Sequence, residues 1–397
     1  MRICVLTSSY PRWRGDPSSH FIADLVDHLQ KGRDIEITIL APATVGALPR
    51  ERWGKAEVRR LMYFWPARWQ KLAYGYGIPW NLRRSRLAWL NIPFLLGTFA
   101  WAALTEGRRA QIIHAHWGVL GAVAALLRPL HRRPVAVSIQ GSDLASKVSL
   151  IRRVTGWAIR HADAVMAPST DFWHKCRELA GEPDRCFHVL HGVPCPPRAV
   201  IERLRREKAT GPAGCRIVTV GRLIADRRHD LLVRAVARAR EEFPQISLCV
   251  VGQGEQFGAL EKLARQLGVS DCVRMAGLVP SVADYLLDAD LYVSPTTVDA
   301  FGAAVVEAAA YGLPVVTTRV GFPAELVLDG RTGFVVPPAD ETALADAIME
   351  VLRKNHDQRS AMGWRMRDRV IEMELTWGVT AEKVRRIFEN CIAEASR

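Results

Sequence analysis

Residues 291–318 read LYVSPTTVDAFGAAVVEAAAYGLPVVTT, and this run contains one complete strand–helix–strand unit. The apolar stretch LYVS leads into a polar loop, residues 303–311 are strongly helix-forming, and LPVVTT is a second apolar strand. Asp299 follows the first strand and Glu307 lies in the helix. A helix that joins two apolar strands predicts a parallel sheet, whose ligands bind beyond the carboxyl ends of the strands.

The same alternation of strand and helix runs through the chain on both sides of this unit. A chain of 397 residues is too long for a single core, which stops growing near ~250–300 residues. Residues 191–214 hold four Pro and three Gly around a charged patch, a composition typical of a linker. We predict the α/β class with two doubly wound Rossmann-like domains that face a cleft. The expected bounds are residues 1–195, a linker at 196–214, and residues 215–376.

The net positive charge of the chain comes from its first half. Residues 1–200 carry 28 Lys and Arg against 14 Asp and Glu, whereas the remaining residues carry 26 against 27. Such a basic half suits nucleic acid, anionic lipid or an anionic substrate. The eight Cys are scattered with no CxxC, which predicts buried thiols in a reducing compartment and makes a zinc site improbable. The N-terminus MRICVL is interpreted as a strand rather than a signal peptide.

One uncharged run is long enough to be tested as a membrane span. It is Leu87–Thr105, 19 residues with Arg on both sides. Asn91 and Pro93 interrupt it, and the strand QIIHAHW follows after a few residues. We expect a buried helix or one that lies on a membrane surface, with a true span as the minority interpretation.

Candidate donor ligands follow the strands of the second half. Gly221 and Arg222 leave the strand VTV, and Arg227 comes five residues later; two guanidinium groups there suit a diphosphate, although a solvated loop is the alternative. Gly252 and Gly254 follow another strand and suit a tight turn near a nucleotide.

The two acids of the opening unit are candidates for a sugar site. Glu307 lies in the early part of a helix, near backbone N–H groups that favour anions, and its carboxylate can accept hydrogen bonds from vicinal hydroxyls, as on a ribose. The alternative is a capping acid and a helix-surface Glu. Asp288 and Asp290 form an acidic pair, but they precede an apolar strand and offer too few oxygens for a hard cation.

On these residues the chain resembles the retaining glycosyltransferases of the GT-B fold, the group-4 family. The resemblance is strongest in VGRLIADRRHDLLVRA, in the segment around VVGQGEQF, and in DAFGAAVVEAAAYGLPVVTT, which matches the E-x7-E element of the family. It implies that Arg222 and Arg227 bind the donor diphosphate and that Glu307 binds the ribose. It further implies that Asp299, with the backbone of Phe301, Gly302 and Ala303, contacts the transferred sugar.

The resemblance also assigns residues outside the second sheet. Gly15 is placed with the donor-binding residues, and Gln140, Asp143 and His116 on the sugar and acceptor side. Residues 377–397 are expected to return to the first domain. The chain departs from the family at Arg227 (usually Lys), Arg228 (usually Gly), Asp299 (usually Glu) and Gln140 (usually His). Because Gln cannot act as a base at neutral pH, the departing diphosphate itself would help to deprotonate the acceptor.

The predicted function is transfer of a sugar, with retention, from a UDP- or GDP-linked donor to a glycan or lipid-diphosphate acceptor in cell-envelope polysaccharide synthesis. No cofactor, metal or nucleic acid is expected. The expected location is cytoplasmic, peripheral on the inner face of the membrane, with the basic first half against anionic lipid. The alternatives are an inactive nucleotide-sugar-binding protein of the same fold, a nucleotide-sugar epimerase and a phosphorylase.

Overall fold

The computed structural model of the chain describes residues 1–16, 19–75, 77–144, 148–208 and 215–397. It divides into two compact units. The N-terminal domain comprises Met1–Gly192 together with Trp377–Arg397, and the C-terminal domain comprises Val193–Thr376. Each domain is an α/β unit built around one sheet, which agrees with the predicted fold class.

The N-terminal domain has an eight-stranded sheet. Its strands are β1 (Arg2–Leu6), β2 (Glu36–Pro42), β3 (Arg50–Trp53), β4 (Ala56–Leu61), β5 (Ile112–His116), β6 (Val135–Ser138), β7 (Ala164–Ala167) and β8 (Cys186–His188). Its first helices are α1 (His20–Gln30), α2 (Ile78–Arg84), α3 (Arg86–Thr105), α4 (Gly118–Leu126), α5 (Arg128–His131), α6 (Gly141–Leu144), α7 (Ser149–His161) and α8 (Thr170–Ala180). The strand order is β3-β4-β2-β1-β5-β6-β7-β8, parallel except for β3, which pairs with β4 antiparallel.

The C-terminal domain has a six-stranded, fully parallel sheet. Its strands are β9 (Arg216–Val220), β10 (Ser247–Val251), β11 (Val273–Gly277), β12 (Leu291–Ser294), β13 (Val315–Thr318) and β14 (Gly333–Val336). Its helices are α9 (Arg198–Lys208), α10 (His229–Glu242), α11 (Phe257–Gln266), α12 (Ala283–Asp288), α13 (Ala303–Ala310), α14 (Gly321–Leu326), α15 (Glu341–Leu352) and α16 (His356–Glu372). The strand order is β11-β10-β9-β12-β13-β14.

The last helix, α17 (Trp377–Ala395), belongs to the N-terminal domain. Its Ile387 and Phe388 are buried in one core cluster with Ile22 and Leu25 of α1. The core of this domain is therefore assembled from segments more than 300 residues apart in the sequence.

The strands read as continuous apolar runs because both faces of each sheet are covered. Every residue of β5, β6 and β7 is buried, and so is every residue of β12 and β13. Strands of a parallel sheet with helices on both sides lack the polar face that an exposed sheet would show. This pattern is what made the fold class predictable from the sequence.

One local prediction was wrong. Residues 198–208 of the predicted linker form helix α9, whose Ile201 is fully buried against Leu287 and Trp364 of the C-terminal domain; residues 209–214 lie outside the described part of the chain.

Candidate functional site

The strand order of the C-terminal sheet has a switch point between β9 and β12. From β9 the chain continues to β10 and β11 on one side, and from β12 it continues to β13 and β14 on the other. Leu291 and Tyr292 of β12 pair directly with Ile217 and Val218 of β9. The connections that leave two such strands diverge to opposite faces, so a crevice opens at their carboxyl ends. Four predicted site residues, Arg222, Arg227, Asp299 and Glu307, follow these two strands.

The loops after β9 and β12 are joined through the carbonyl of Asp226. This oxygen accepts hydrogen bonds from Thr297 N at 2.9 Å, Thr297 Oγ1 at 3.1 Å and Thr296 Oγ1 at 3.2 Å. A carbonyl with three donors fixes the short turn Ala225–Arg227 against the β12 loop. The turn therefore carries Arg227 into a set position beside that loop.

Arg227 and Asp299, which were predicted to bind different parts of a donor, form an ion pair with each other. Arg227 Nη1 donates to Asp299 Oδ2, and it also lies 3.4 Å from Thr296 Oγ1. The other carboxylate oxygen, Asp299 Oδ1, accepts the backbone N–H groups of Ala300 at 2.8 Å and Gly302 at 3.2 Å. Asp299 thus links the cationic turn after β9 to the start of α13.

Arg222 is electrostatically coupled to this pair. It is the second residue beyond β9 and is exposed to solvent. Partial desolvation, with the positive charge of Arg227, lowers the pKa of the Arg222 guanidinium, and the carboxylate of Asp299 opposes the effect. Two guanidinium groups so near each other form a site at which a polyanion is favoured.

Glu307 lies in the second turn of α13 and is half-buried. Tyr292 of β12 joins that strand to β9, because its hydroxyl donates to Val220 O at 3.2 Å. Burial raises the pKa of the Tyr292 phenol, Arg227 lowers it, and the carboxylates of Glu307 and Asp299 raise it. The charges of Arg227, Asp299 and Glu307 therefore all act on the same ring. Tyr292 itself was not predicted, since a Tyr inside an apolar strand is usually a core residue.

The predicted glycines differ in what surrounds them. A Cβ on Gly252, whose φ is 144°, would lie 1.8 Å from Gly221 O, and one on Gly254 would lie 2.1 Å from Leu223 O. These two glycines let the loop after β10 approach the loop after β9, so they support the site by close packing. A Cβ on Gly221, in contrast, would meet no heavy atom of the described residues within 4 Å. Of these, Gly221 is the one beside open space.

At the start of α13 the backbone, rather than the side chains, is available to a ligand. Phe301 is buried and its ring stacks on Phe322 with 5.4 Å between centroids. Gly302 precedes the helix with φ 66°, and a Cβ there would come within 2.3 Å of Pro323 Cγ. Ala303 is the exposed first residue of the helix. The N–H groups of this first turn carry partial positive charge that favours an anion or a hydroxyl oxygen.

In the N-terminal domain, Asp143 binds backbone rather than presenting a free carboxylate. Its Oδ2 accepts Gln140 N at 2.7 Å and its Oδ1 accepts Gly118 N at 3.1 Å, and the residue is 3% exposed. Burial raises its pKa to about 7, against the opposing effect of these two hydrogen bonds. Asp143 joins the turns after β5 and β6 and so positions Gln140. The Gln140 Nε2 atom is buried and has no hydrogen-bond partner among the described residues.

His116 ends β5, next to β1 at the switch point of the N-terminal sheet. The residue is 1% exposed, and within the described chain neither ring nitrogen has a hydrogen-bond partner. Burial lowers its pKa well below the usual range, and His114 and His191 add to the effect. His116 is therefore a neutral imidazole among other rings. Gly15 lies in the loop that leaves β1, with φ 89°.

Within the described ranges, no set of three or more His, Cys, Asp or Glu side chains could hold a metal ion. The acidic pair noted in the sequence is bound to Arg216: its Nη1 lies 2.6 Å from Asp288 Oδ1 and its backbone N donates to Asp290 Oδ2 at 2.9 Å. These carboxylates tie α12 and the start of β12 to β9.

Comparison with known proteins gave matches over both domains. The family model described as glycosyl transferases group 1 matches residues 200–369, and the one described as glycosyl transferase 4-like domain matches residues 18–192. A D-inositol 3-phosphate glycosyltransferase of Corynebacterium jeikeium is 29% identical over 335 residues, covering 75% of this chain and 78% of its own. A GDP-mannose-dependent alpha-(1-6)-phosphatidylinositol monomannoside mannosyltransferase of Mycolicibacterium smegmatis is 28% identical over 374 residues, covering 88% of each chain.

Solved structures share the fold over nearly the whole chain. Sucrose-phosphate synthase from Thermosynechococcus elongatus superposes with a TM-score of 0.78 at 21% identity, covering 99% of both chains. HepE of Anabaena in complex with UDP-glucose gives 0.73 at 17% identity, covering 98% of this chain and 100% of its own.

Proposed function

Because the chain belongs to the group 1 glycosyltransferases, with a glycosyl transferase 4-like N-terminal domain and the GT-B fold, we propose that it uses a nucleotide-sugar donor and retains the anomeric configuration. The proposed donor is UDP- or GDP-linked and the proposed acceptor is a glycan or a lipid-linked diphosphate of the cell envelope. Support for the donor class comes from relatives: the mannosyltransferase is GDP-mannose-dependent, and HepE was solved with UDP-glucose.

One observation carries the proposal: at the switch point of the C-terminal sheet, Arg227 pairs with Asp299, Arg222 is electrostatically coupled to both, and Glu307 acts with Arg227 and Asp299 on Tyr292. In the proposed complex the two Arg bind the diphosphate and Glu307 accepts hydrogen bonds from the ribose hydroxyls. Arg suits this task because its planar fork binds two phosphate oxygens at once. The positive charge then stabilises the diphosphate as it departs, which is the larger part of catalysis in such a site.

The proposal requires no protein base on the acceptor side. Gln140 does not titrate near neutral pH. Asp143 has both carboxylate oxygens on backbone N–H groups, and the pKa of His116 is too low for it to hold a proton at neutral pH. The remaining acceptor for the hydroxyl proton is the departing diphosphate oxygen, on the face of the sugar from which it leaves. Attack from that same face gives retention.

A panel of nucleotide sugars screened by thermal shift tests the donor class. A ligand at 100 times its Kd stabilises the native state by about 2.7 kcal/mol, so the true donor should raise the melting temperature clearly. Product formed from that donor should keep the anomeric configuration by NMR. Inversion would refute the retaining mechanism, and stabilisation by no nucleotide sugar would refute the donor class. The Arg222→Ala variant serves as the control for binding at this site.

A further inference from the structure

Helix α3 presents two apolar faces, and only one of them is buried. The buried face is formed by Ala88, Asn91, Leu95, Phe99, Ala102 and Ala103, at the three- and four-residue spacing of one helix side. The opposite face repeats at the same spacing and is open to solvent: Trp89 is 57% exposed, Leu90 53%, Phe94 49% and Trp101 70%. A surface helix of a globular protein normally carries polar side chains on that face.

A neighbouring loop extends this exposed face. Phe64 packs edge-on against Phe94 with 4.9 Å between ring centroids, and Lys71 N donates to Asn91 Oδ1 at 2.8 Å. Held in this way, the loop exposes Met62 at 57%, Trp65 at 81% and Trp69 at 46%. We call the combined surface the apolar patch; it consists of Met62, Trp65, Trp69, Trp89, Leu90, Phe94 and Trp101.

Several polar atoms in and beside the patch are hydrogen-bonded within the protein. The indole N–H of Trp89 donates to Leu82 O at 2.9 Å. The hydroxyls of Thr98 and Thr105 donate to the carbonyls of Phe94 at 2.8 Å and Trp101 at 3.0 Å, one turn back along α3. Such internal bonding lets Thr face an apolar medium without an unpaired donor. These internal hydrogen bonds lower the polar cost of moving this part of α3 out of water.

The segment that carries the patch has charged side chains of a single sign. Between residues 62 and 105 the sequence has no Asp or Glu, and it has five basic residues, all exposed: Arg68, Lys71, Arg83, Arg84 and Arg86. The guanidinium of Arg84 lies 5.4 Å from the centre of the Trp80 ring. The same 44 residues hold five of the twelve Trp of the chain. Trp beside Arg and Lys is the composition of membrane–water interfaces.

We propose that the apolar patch docks this protein on an anionic lipid bilayer. The aromatic rings enter the headgroup region, and the surrounding basic side chains bind lipid phosphates. Within the described residues one helical stretch, Arg86–Arg109, is long and apolar enough to cross a membrane. Docking on the surface fits α3 better than a membrane span does. A span would remove the buried face of α3, including the fully buried Asn91, from the domain core.

Flotation of the full chain with vesicles tests the proposal. We expect binding to vesicles of phosphatidylglycerol and phosphatidylcholine and much weaker binding to phosphatidylcholine alone. Changing Arg83, Arg84 and Arg86 to Glu should weaken binding about a hundredfold, from about fivefold for each Arg near an anionic surface. The matched control changes Arg206, Arg234 and Arg265, three exposed Arg of the C-terminal domain, to Glu and should bind vesicles like the wild type.

A second variant tests the apolar contribution. Leu90→Ser and Trp101→Ser together should weaken binding at least about tenfold, and this loss should persist in high salt, which screens charge but not apolar burial. Its control changes Leu126 and Ile371, apolar side chains that are 68% and 51% exposed outside the patch, to Ser. Because all these positions are exposed, thermal midpoints and donor binding without lipid should stay unchanged, which separates this test from that of the donor site.

Three results would overturn the proposal. The first is wild-type vesicle binding by the Ser variant. The second is resistance to alkaline carbonate extraction, which indicates a span. The third is a dimer in solution that the Ser variant disrupts while its vesicle binding is unchanged, which would assign the patch to a second copy of the chain.

Discussion

Replacing Gly221 with Ala adds one methyl group to the loop that leaves β9. A Cβ there has no heavy atom of the described chain within 4 Å, and Gly221 has no positive φ, so the free energy of unfolding should change by no more than about 0.5 kcal/mol. If the donor diphosphate occupies this space beside Arg222, the methyl group overpacks the complex by about 1–3 kcal/mol. The Kd for the donor should then rise roughly 5- to 150-fold, measured by isothermal titration calorimetry.

Two other glycines give the controls. Gly258→Ala places a methyl group in open space on α11, and we expect unchanged donor affinity with a gain in stability of up to about 1 kcal/mol. Gly252→Ala places Cβ 1.8 Å from Gly221 O, and we expect loss of both stability and affinity because the two loops are forced apart. Wild-type affinity in a well-folded Gly221→Ala variant would show that the diphosphate binds elsewhere.

Arg222→Ala should cut turnover roughly tenfold or more, since each lost charge-assisted bond contributes about 1.5–3 kcal/mol, and Glu307→Ala should weaken nucleotide binding; wild-type activity in both folded variants would mean that the site is misplaced. Asp299→Asn removes the charge that pairs with Arg227, so nucleoside diphosphate should bind more tightly while sugar transfer slows, and weaker diphosphate binding by calorimetry would contradict this reasoning. Because its pKa is raised, the contribution of Asp143 to stability is complete below about pH 4 and is lost as pH rises through about 7. The free energy of unfolding in urea should therefore fall by about 4 kcal/mol across that window, and Asp143→Asn should flatten the fall. An unchanged pH profile in that variant would exclude this carboxyl as the cause. Activity should survive a chelator, and a strict requirement for Mg²⁺ or Mn²⁺ in the chemical step would refute the metal-free mechanism.

The fold was predictable because local patterns of apolar and polar residues indicate each strand and helix. Apolar runs such as that of β5 alternate with amphipathic helices, and a parallel sheet covered on both faces produces that signal in every strand. The edge strand β3, with sequence RERW, was missed because an exposed edge carries charged residues that look like a loop. Helix α9 was missed because Pro and Gly flank it and most of its residues are partly or fully exposed, while Ile201 is buried.

The sequence predicted where the site residues lie, but not which of their side chains contact each other. The sequence places Arg227 and Asp299 at strand ends, and strand ends of one sheet meet, yet only the strand order shows that β9 and β12 are neighbours. The ion pair between them, and the two backbone amides on Asp143, depend on contacts between residues far apart in the chain. Likewise, no pattern in the uncharged run at 87–105 distinguished its buried face from its exposed one, since both are apolar.

Helix α17 has a consequence for the order of events during synthesis. The N-terminal domain cannot complete its core when Gly192 leaves the ribosome, because Ile387 and Phe388 have not yet been made. At ~5–20 residues per second, translation of the intervening Val193–Thr376 takes roughly 10–40 s. Throughout that interval the apolar face of α1 lacks its native cover and is open to chaperones or to other nascent chains. The C-terminal domain, which is continuous in sequence, is the first whose core can close, so this chain finishes its second domain before its first.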